Sequence, residues 1–289
     1  MIIDCHYHLE TRMQPVENLI QKMDLNGIEK VALVPTMWDV PPHTPEFLLK
    51  LLRFLLYHQF SRSLAKKLVS NFSPEGDIVL PKETVKLYKD PENGSIVEAI
   101  KNYSDRFLGW IFINPRGKND PVKEYEKWKN QSGFIGVKAH SFWHRFQPEE
   151  LVPVAEKAAK EDKPLLIHVG FDLNGDFEVL ANEVPELKII LAHAGFPEYS
   201  DTWKKIRNNK NIYVDLSADA YVNGKATKRV VEYLGVERCF FGTDGPYGHH
   251  ADDGMFDNGF IKRRIESLFP EREIRNKLLG DNFRDLIGI

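Results

Sequence analysis

His6 and His8 stand two residues apart in the opening segment MIIDCHYHL (1–9), directly after the apolar run IIDC at 2–5. Side chains alternate faces along an extended strand, so imidazoles at this spacing point the same way and can share one metal ion. A His-x-His pair alone is common enough to decide nothing. Three more residues of matching chemistry end apolar runs: His168 closes LLIH (165–168), His193 follows IILA (189–192), and Asp244 follows FFGT (240–243). Singly, a strand-end histidine reads as a hydrogen-bonded core residue and an aspartate there as a helix cap. Their coincidence at four strand ends points instead to a site. His/His/His/Asp is a normal ligand set for zinc or another borderline divalent ion, so His6, His8, His168, His193 and Asp244 are the candidates to hold one. Lys138 ends a further apolar run, and alternation puts it on one face with Gly136 and His140. Such a lysine either meets an anionic substrate group or snorkels to the rim.

The elements that must position these residues alternate regularly. Apolar runs at 2–5, 31–34, 107–113, 134–138, 165–168, 188–192, 211–216 and 238–242 are separated by amphipathic stretches such as 16–26, 149–161 and 226–235. Near-continuous hydrophobic runs suit strands buried on both faces of a parallel sheet. Eight strands alternating with helices predict an α/β fold, a (β/α)8 TIM barrel, ahead of a doubly wound open sheet. Barrel enzymes carry catalytic groups at the C-terminal ends of their strands, where these candidates lie.

One connection is too long. About 36–106 separates strands two and three, where a barrel loop and helix need far fewer residues. Within it, 46–57 (EFLLKLLRFLLY) and 61–70 (SRSLAKKLVS) read as helices, so the whole of 1–289 is expected to be one barrel domain with a helical insertion after strand 2. The apolar face with Phe47, Leu48, Leu51, Leu52 and Leu55 is too large to leave in water and is expected to bury against the barrel or a partner chain. The insertion is read either as packing, including a homodimer contact, or as a lid on the catalytic rim. Trp38, His43 and Arg62 would meet substrate if it folds over the mouth, whereas Arg62, Lys66 and Lys67 also suit a solvated helix face.

Taken together, MIIDCHYHL (1–9), GVKAH (136–140), PLLIHVG (164–170), IILAHAGF (189–196), NIYVDLS (211–217), CFFGTDGPYG (239–248) and LLGDNFRDLIGI (278–289) resemble the amidohydrolase superfamily. The details look like the amidohydrolase-2 (amidohydrolase-related) branch, which holds hydrolases and non-oxidative decarboxylases similar to aminocarboxymuconate semialdehyde decarboxylase and resorcylate decarboxylase. The resemblance covers nearly the whole chain and is weakest over 36–106. It implies that His6, His8 and His168 bind the metal and that Asp244 completes the shell or takes the proton of the bound water. His193 then orients the water or polarises the substrate, as in single-metal members, or is a ligand, as in two-metal members. It also adds a third role for Lys138, a carbamate bridging two metals. Substrate contact by Lys138 and His140 is favoured, and with it one divalent ion, zinc first and manganese or iron next. Relatives commonly carry His-Pro after that lysine. This chain reads HSFWHR (140–145), so the loop that holds His144 and Arg145 is expected to differ. His249 and His250 read as loop residues close to Asp244.

Composition narrows the rest. The 289 residues are 42% hydrophobic and 28% charged with a net charge of −3, which suits a soluble enzyme and implies neither a nucleic-acid nor an anionic membrane partner. No apolar stretch approaches the roughly 20 residues that cross a bilayer. Two distant cysteines, Cys5 and Cys239, argue against a disulfide framework and, with no secretory signal, for a cytoplasmic setting. The expected function is metal-dependent hydrolysis of a small amide, ester or lactone, with decarboxylation of an unsaturated or aromatic acid as the rival. A non-catalytic metal-binding barrel would be expected to lack a ligand, and none is missing.

Overall fold

Eight of the apolar runs become parallel strands: β1 (Ile3–Leu9), β2 (Lys30–Pro35), β3 (Phe107–Phe112), β4 (Phe134–His140), β5 (Leu165–His168), β6 (Ile189–Leu191), β7 (Ile212–Asp215) and β8 (Cys239–Phe240). The computed structural model describes residues 1–40, 45–80 and 83–289. The strands pair in sequence order, each parallel to the next. The ends of this sheet meet through Cys5 N to Phe241 O (3.0 Å), His8 N to Gly245 O (2.6 Å) and Asp244 N to His6 O (2.8 Å). The result is the expected (β/α)8 barrel. These bonds, with those to β2, hold β1 on both sides and extend it to Leu9, so His6 and His8 lie on the strand itself.

Two apolar layers follow from side-chain alternation. Ile3, Val34, Trp110, Leu166, Ile190 and Phe240 fill the barrel, while Leu33, Ile111, Val137, Ile167 and Val214 pack outward beneath the helices, in one cluster with Met23 of α1 (Val16–Asn26). Trp110 reaches across the interior, where its Nε1 donates to Cys5 O (2.9 Å). Gly136 is required beside it: a Cβ there would stand 2.8 Å from the indole ring and 2.3 Å from Pro164 O. That close approach seats the strand that carries Lys138 and His140.

The stretch 36–106 divides. Asn93–Asn102 is the barrel helix between β2 and β3, burying Ile96, Ala99 and Ile100. The remainder holds α2 (Glu46–Tyr57), α3 (Arg62–Val69) and an antiparallel pair, Ile78–Val79 with Thr84–Val85; His43 lies outside the described residues. Although the insertion leaves β2, it is fastened to the far side of the mouth. Arg53 Nη1 donates to Asp219 O after β7 (2.6 Å), and Arg62 binds Asp201 Oδ2 (3.0 Å) and Glu198 O (3.1 Å) after β6. Lys66 pairs with Asp172 after β5. The reading of Arg62 as part of a solvated helix face is thereby corrected, because acceptors on the barrel loops hold its largely covered side chain; Lys66, paired at the surface, and Lys67, exposed, keep that reading.

The apolar face of α2 is only partly covered by the barrel. Leu55 and Leu56 are buried, but Phe47, Leu48 and Leu51 are 67%, 43% and 50% exposed in the single chain. Among the described residues, no helix is long and apolar enough to cross a membrane.

Candidate metal centre at the barrel mouth

The pairing of β1 with β2 shifts register between Asp4 and Tyr7. Cys5 therefore stays with the interior cluster, while His6 and His8 both reach the mouth, their rings 5.3 Å apart. Asp4 fastens this irregular stretch. Its buried carboxylate accepts from His6 N (3.1 Å), Thr243 N (3.0 Å) and Thr243 Oγ1, which ties β1 to the segment presenting Asp244. Burial, which those hydrogen bonds only partly oppose, pushes the Asp4 carboxyl up to about 7.

Asp244 has φ 60, and His193 and Ala194 have φ 55 and 54. Left-handed backbone costs a non-glycine residue on the order of 1–3 kcal/mol and persists where the surroundings enforce it. Here it turns Asp244 Oδ1 toward His8 Nε2 (3.2 Å) and His6 Nε2 (3.4 Å), and sets His193 Nε2 at 4.0 Å from Asp244 Oδ2. Ligand atoms of His6, His8 and Asp244 lie within 4.8 Å of one another, as do those of His6, His193 and Asp215. His168 joins neither group and stands one hydrogen bond away, on His193.

A residue without an expected role organises this set. Asp215, at the end of β7, is fully buried and takes three partners. Its Oδ2 accepts from His6 Nδ1 (2.9 Å), and its Oδ1 from His193 N (2.8 Å) and from the Ser217 hydroxyl. Ser217 Oγ, having given its proton to Asp215, accepts from His193 Nδ1 (2.8 Å), so His193 Nε2 accepts from His168 Nδ1 (3.1 Å). The chain of bonds fixes the tautomers of His6, His193 and His168, and lone pairs remain at His6 Nε2 and His168 Nε2. Both atoms are buried without a partner. A buried polar atom left unpaired is costly, and a carboxylate behind an imidazole is the usual support for a metal-binding histidine. The residues therefore fit a divalent ion. Asp215 shared its strand-end position with the other candidates, and that was the available signal.

Electrostatics agree. Burial drives His6 down to about 3 and His168 and His140 well below the ordinary imidazole range, with the Lys138 ammonium adding to each. Neutral imidazoles are what a metal requires. Burial works to raise Asp244, but His193, His8 and His6 outweigh it and hold the carboxyl at about 2. Lys138 is fully buried and its Nζ has no hydrogen-bond partner. Burial lowers it to about 8, with Asp244 and Asp215 pulling the other way.

The surrounding walls are aromatic. His140 Nδ1 accepts from Trp143 N (3.1 Å), which leaves Nε2–H to donate. Its ring stacks on Trp143 at 4.3 Å and lies 4.0 Å from the His168 ring. Trp38, from the start of the insertion, packs at 4.4 Å on Trp143 and 5.4 Å on Tyr247, and Tyr221 closes on His193 at 5.6 Å. His144 turns to Tyr88 O (3.0 Å), and Arg145 lies over the Phe72 ring at 5.6 Å. His249 and His250 are exposed, His249 stacked on Phe260 at 4.2 Å.

Comparison with known proteins gives the same frame. 4-Oxalomesaconate hydratase from Rhodopseudomonas palustris is 17% identical, with a TM-score of 0.64 and coverage of 100% of this chain and 96% of that one. A probable 2-pyrone-4,6-dicarboxylic acid hydrolase from Acinetobacter baumannii is 14% identical, with a TM-score of 0.62 and coverage of 100% and 99%. 5-Carboxyvanillate decarboxylase from Novosphingobium aromaticivorans, solved with bound manganese, is 16% identical, with a TM-score of 0.57 and coverage of 94% and 80%. At these identities the likeness establishes the fold. No curated protein sequence matches. The sequence does match a family over residues 3–289, and with its strand-end histidines and aspartate gathered at a barrel mouth, the chain belongs to the amidohydrolase family (Amidohydro_2) of enzymes.

Proposed function

We propose that this enzyme hydrolyses a small, carboxylate-bearing amide, ester or lactone, using one divalent ion held by His6, His8, His168 and Asp244. The observation that carries the reading is the convergence of His6 Nε2, His8 Nε2 and Asp244 Oδ1 in a site that also buries the unpaired Lys138 ammonium. A divalent ion bound there supplies a Lewis acid and lowers the pKa of water toward about 7. The ligand set suits zinc first and accepts manganese or iron.

The other steps belong to the chain. The Asp244 carboxylate, ionised at neutral pH, takes the proton of the attacking water. Asp244 then returns it to the leaving group, beside His193, whose Nε2 stands 4.0 Å from Asp244 Oδ2. Lys138 and the Nε2–H of His140 hold the substrate carboxylate. In so dry a position the lysine charge acts on an anion far more strongly than at the surface. Trp38, Trp143 and Tyr247 keep bulk water from the reacting atoms. The two buried, unpaired cysteines suit a reducing, cytoplasmic setting.

A second reading keeps these residues and changes the reaction to decarboxylation of an aromatic or unsaturated acid. The aromatic walls, His140 stacked on Trp143 and Trp38 tilted against it, favour a planar substrate, and Asp244 or His193 would deliver the proton to carbon. Metal-loaded protein offered lactones, amides and aromatic acids should release new acid groups. Evolution of carbon dioxide without new acid would replace hydrolysis by decarboxylation.

A further inference from the structure

We propose that the outer face of the α2–α3 hairpin is a dimer interface, on which a second copy of this chain docks helix against helix. Thirteen large hydrophobic side chains are exposed among the described residues, and seven of them fall here: Phe47, Leu48, Leu51, Phe54, Phe60, Leu64 and Leu68, each between 43% and 80% exposed. Scattered single hydrophobics are ordinary on a surface; a cluster of this kind is not. The Phe54, His58 and Phe60 rings, 4.6 and 5.6 Å apart in turn, join the two helices into one surface. At those exposures the seven side chains offer about 700 Å² of apolar area, taking roughly 150–250 Å² for a large side chain. A stable interface takes about 800 Å² from each partner, so one face meeting its own copy nearly completes it.

Spacing and charge identify the occupant. Phe47, Leu51 and Phe54 follow one another at four and then three residues, the interval by which one helix seats its side chains between those of another. Residues 46–70 carry five lysines and arginines against one acid, a balance that would suit an anionic bilayer if the cations flanked the apolar face. Three of them do not. Arg53 and Arg62 bind the loops after β7 and β6, and Lys66 pairs with Asp172 after β5. With most of its charge committed to its own barrel, the hairpin presents a face suited to another protein surface. Pairing there leaves the inner anchors untouched, so each copy braces the other's cover over the mouth from outside.

Sedimentation velocity of the full-length, metal-loaded protein tests this across about 0.1–50 µM. The expected species has twice the 33.4 kDa chain mass. Leu51→Glu with Phe54→Glu puts two carboxylates in the centre of the face, away from the metal centre. It should weaken self-association by at least about a hundredfold, with metal content retained. If that variant loses its metal, Leu68→Glu on α3 supplies the same readout by itself. A wild-type chain that stays monomeric at the top concentration overturns the proposal, as does a metal-loaded variant that still dimerises. A wild-type monomer that co-sediments with phosphatidylserine vesicles overturns it in favour of a lipid surface.

Discussion

Replacing Lys138 by methionine should stabilise the metal-free protein near neutral pH while impairing catalysis. The side chain is fully buried, its Nζ has no hydrogen-bond partner, and burial brings it from the ordinary 10.5 to about 8. At 1.36 kcal/mol per pH unit, that drop corresponds to about 3 kcal/mol of cost for keeping the ammonium charged in the fold. An unfolded chain holds this proton up to about pH 10.4, whereas the folded chain releases it near 8. Below that point both states are protonated and the cost is constant. Between the two values the unfolded state binds more protons, so wild-type stability climbs as pH rises. Methionine is of similar length and removes the charge without opening a cavity. Denaturant unfolding of chelator-treated protein should therefore place Lys138→Met about 3 kcal/mol above wild type near pH 7, and the gap should close by about pH 10. The groups coupled to Lys138, which are the buried histidines His6, His140 and His168 and the carboxylates Asp215 and Asp244, hold one charge state across this pH window and so add no slope of their own. A variant less stable than wild type at neutral pH, or a gap that ignores pH, would refute the reasoning. In either case the lysine would be held by a bond that the metal-free fold does not show, such as a carbamate.

Elemental analysis of protein purified without added metal should find about one divalent ion per chain, and His6→Ala and His168→Ala should each lose it; two ions with the mass of carbon dioxide added at Lys138 would contradict the single-metal reading. Asp244→Asn should retain much of the metal yet lose turnover by about a hundredfold or more, because an amide cannot take the proton, and near-normal turnover would remove Asp244 from that role. Ser217→Ala cuts the link between Asp215 and His193 that fixes the His168 tautomer; metal affinity by competition with a chelator should fall about 10–100-fold, and an unaltered affinity would mean that His168 does not depend on this chain of bonds.

Much of this centre was legible because its chemistry coincides with strand ends. His6, His8, His168, His193 and Asp244 are polar residues that close apolar runs, and a barrel brings such positions to one rim. Asp215 escaped a role because an acid after NIYV looks the same whether it caps a helix or supports a ligand. Its meaning lies in a 2.9 Å bond to His6, 209 residues away in sequence. Backbone twist was equally hidden. Nothing in AHAG or TDGP shows that His193, Ala194 and Asp244 adopt positive φ, since glycine, the usual sign of that conformation, stands one or two places later. Nor did alternation foresee the slip in β1 that leaves Cys5 inside the barrel while still sending His6 and His8 to the mouth.

The insertion shows where sequence patterning loses its power. Periodicity marks a helix when one side is apolar and the other polar. In EFLLKLLRFLLY both sides are apolar, so the helix is plain and its inner side is not. Leu55 and Leu56 turned out to face the barrel, and Phe47 and Leu51 to face out. The polar residues settle the orientation. Arg53 and Arg62 find a carbonyl and a carboxylate on loops after β7 and β6, contacts made only in the folded state. Cations, which a sequence assigns to solvent by default, here fix the direction in which the hairpin lies. The same bonds carry it from β2 across the mouth toward the loops that present Asp215 and His193. Its outward apolar face then follows from two arginines that had to point in.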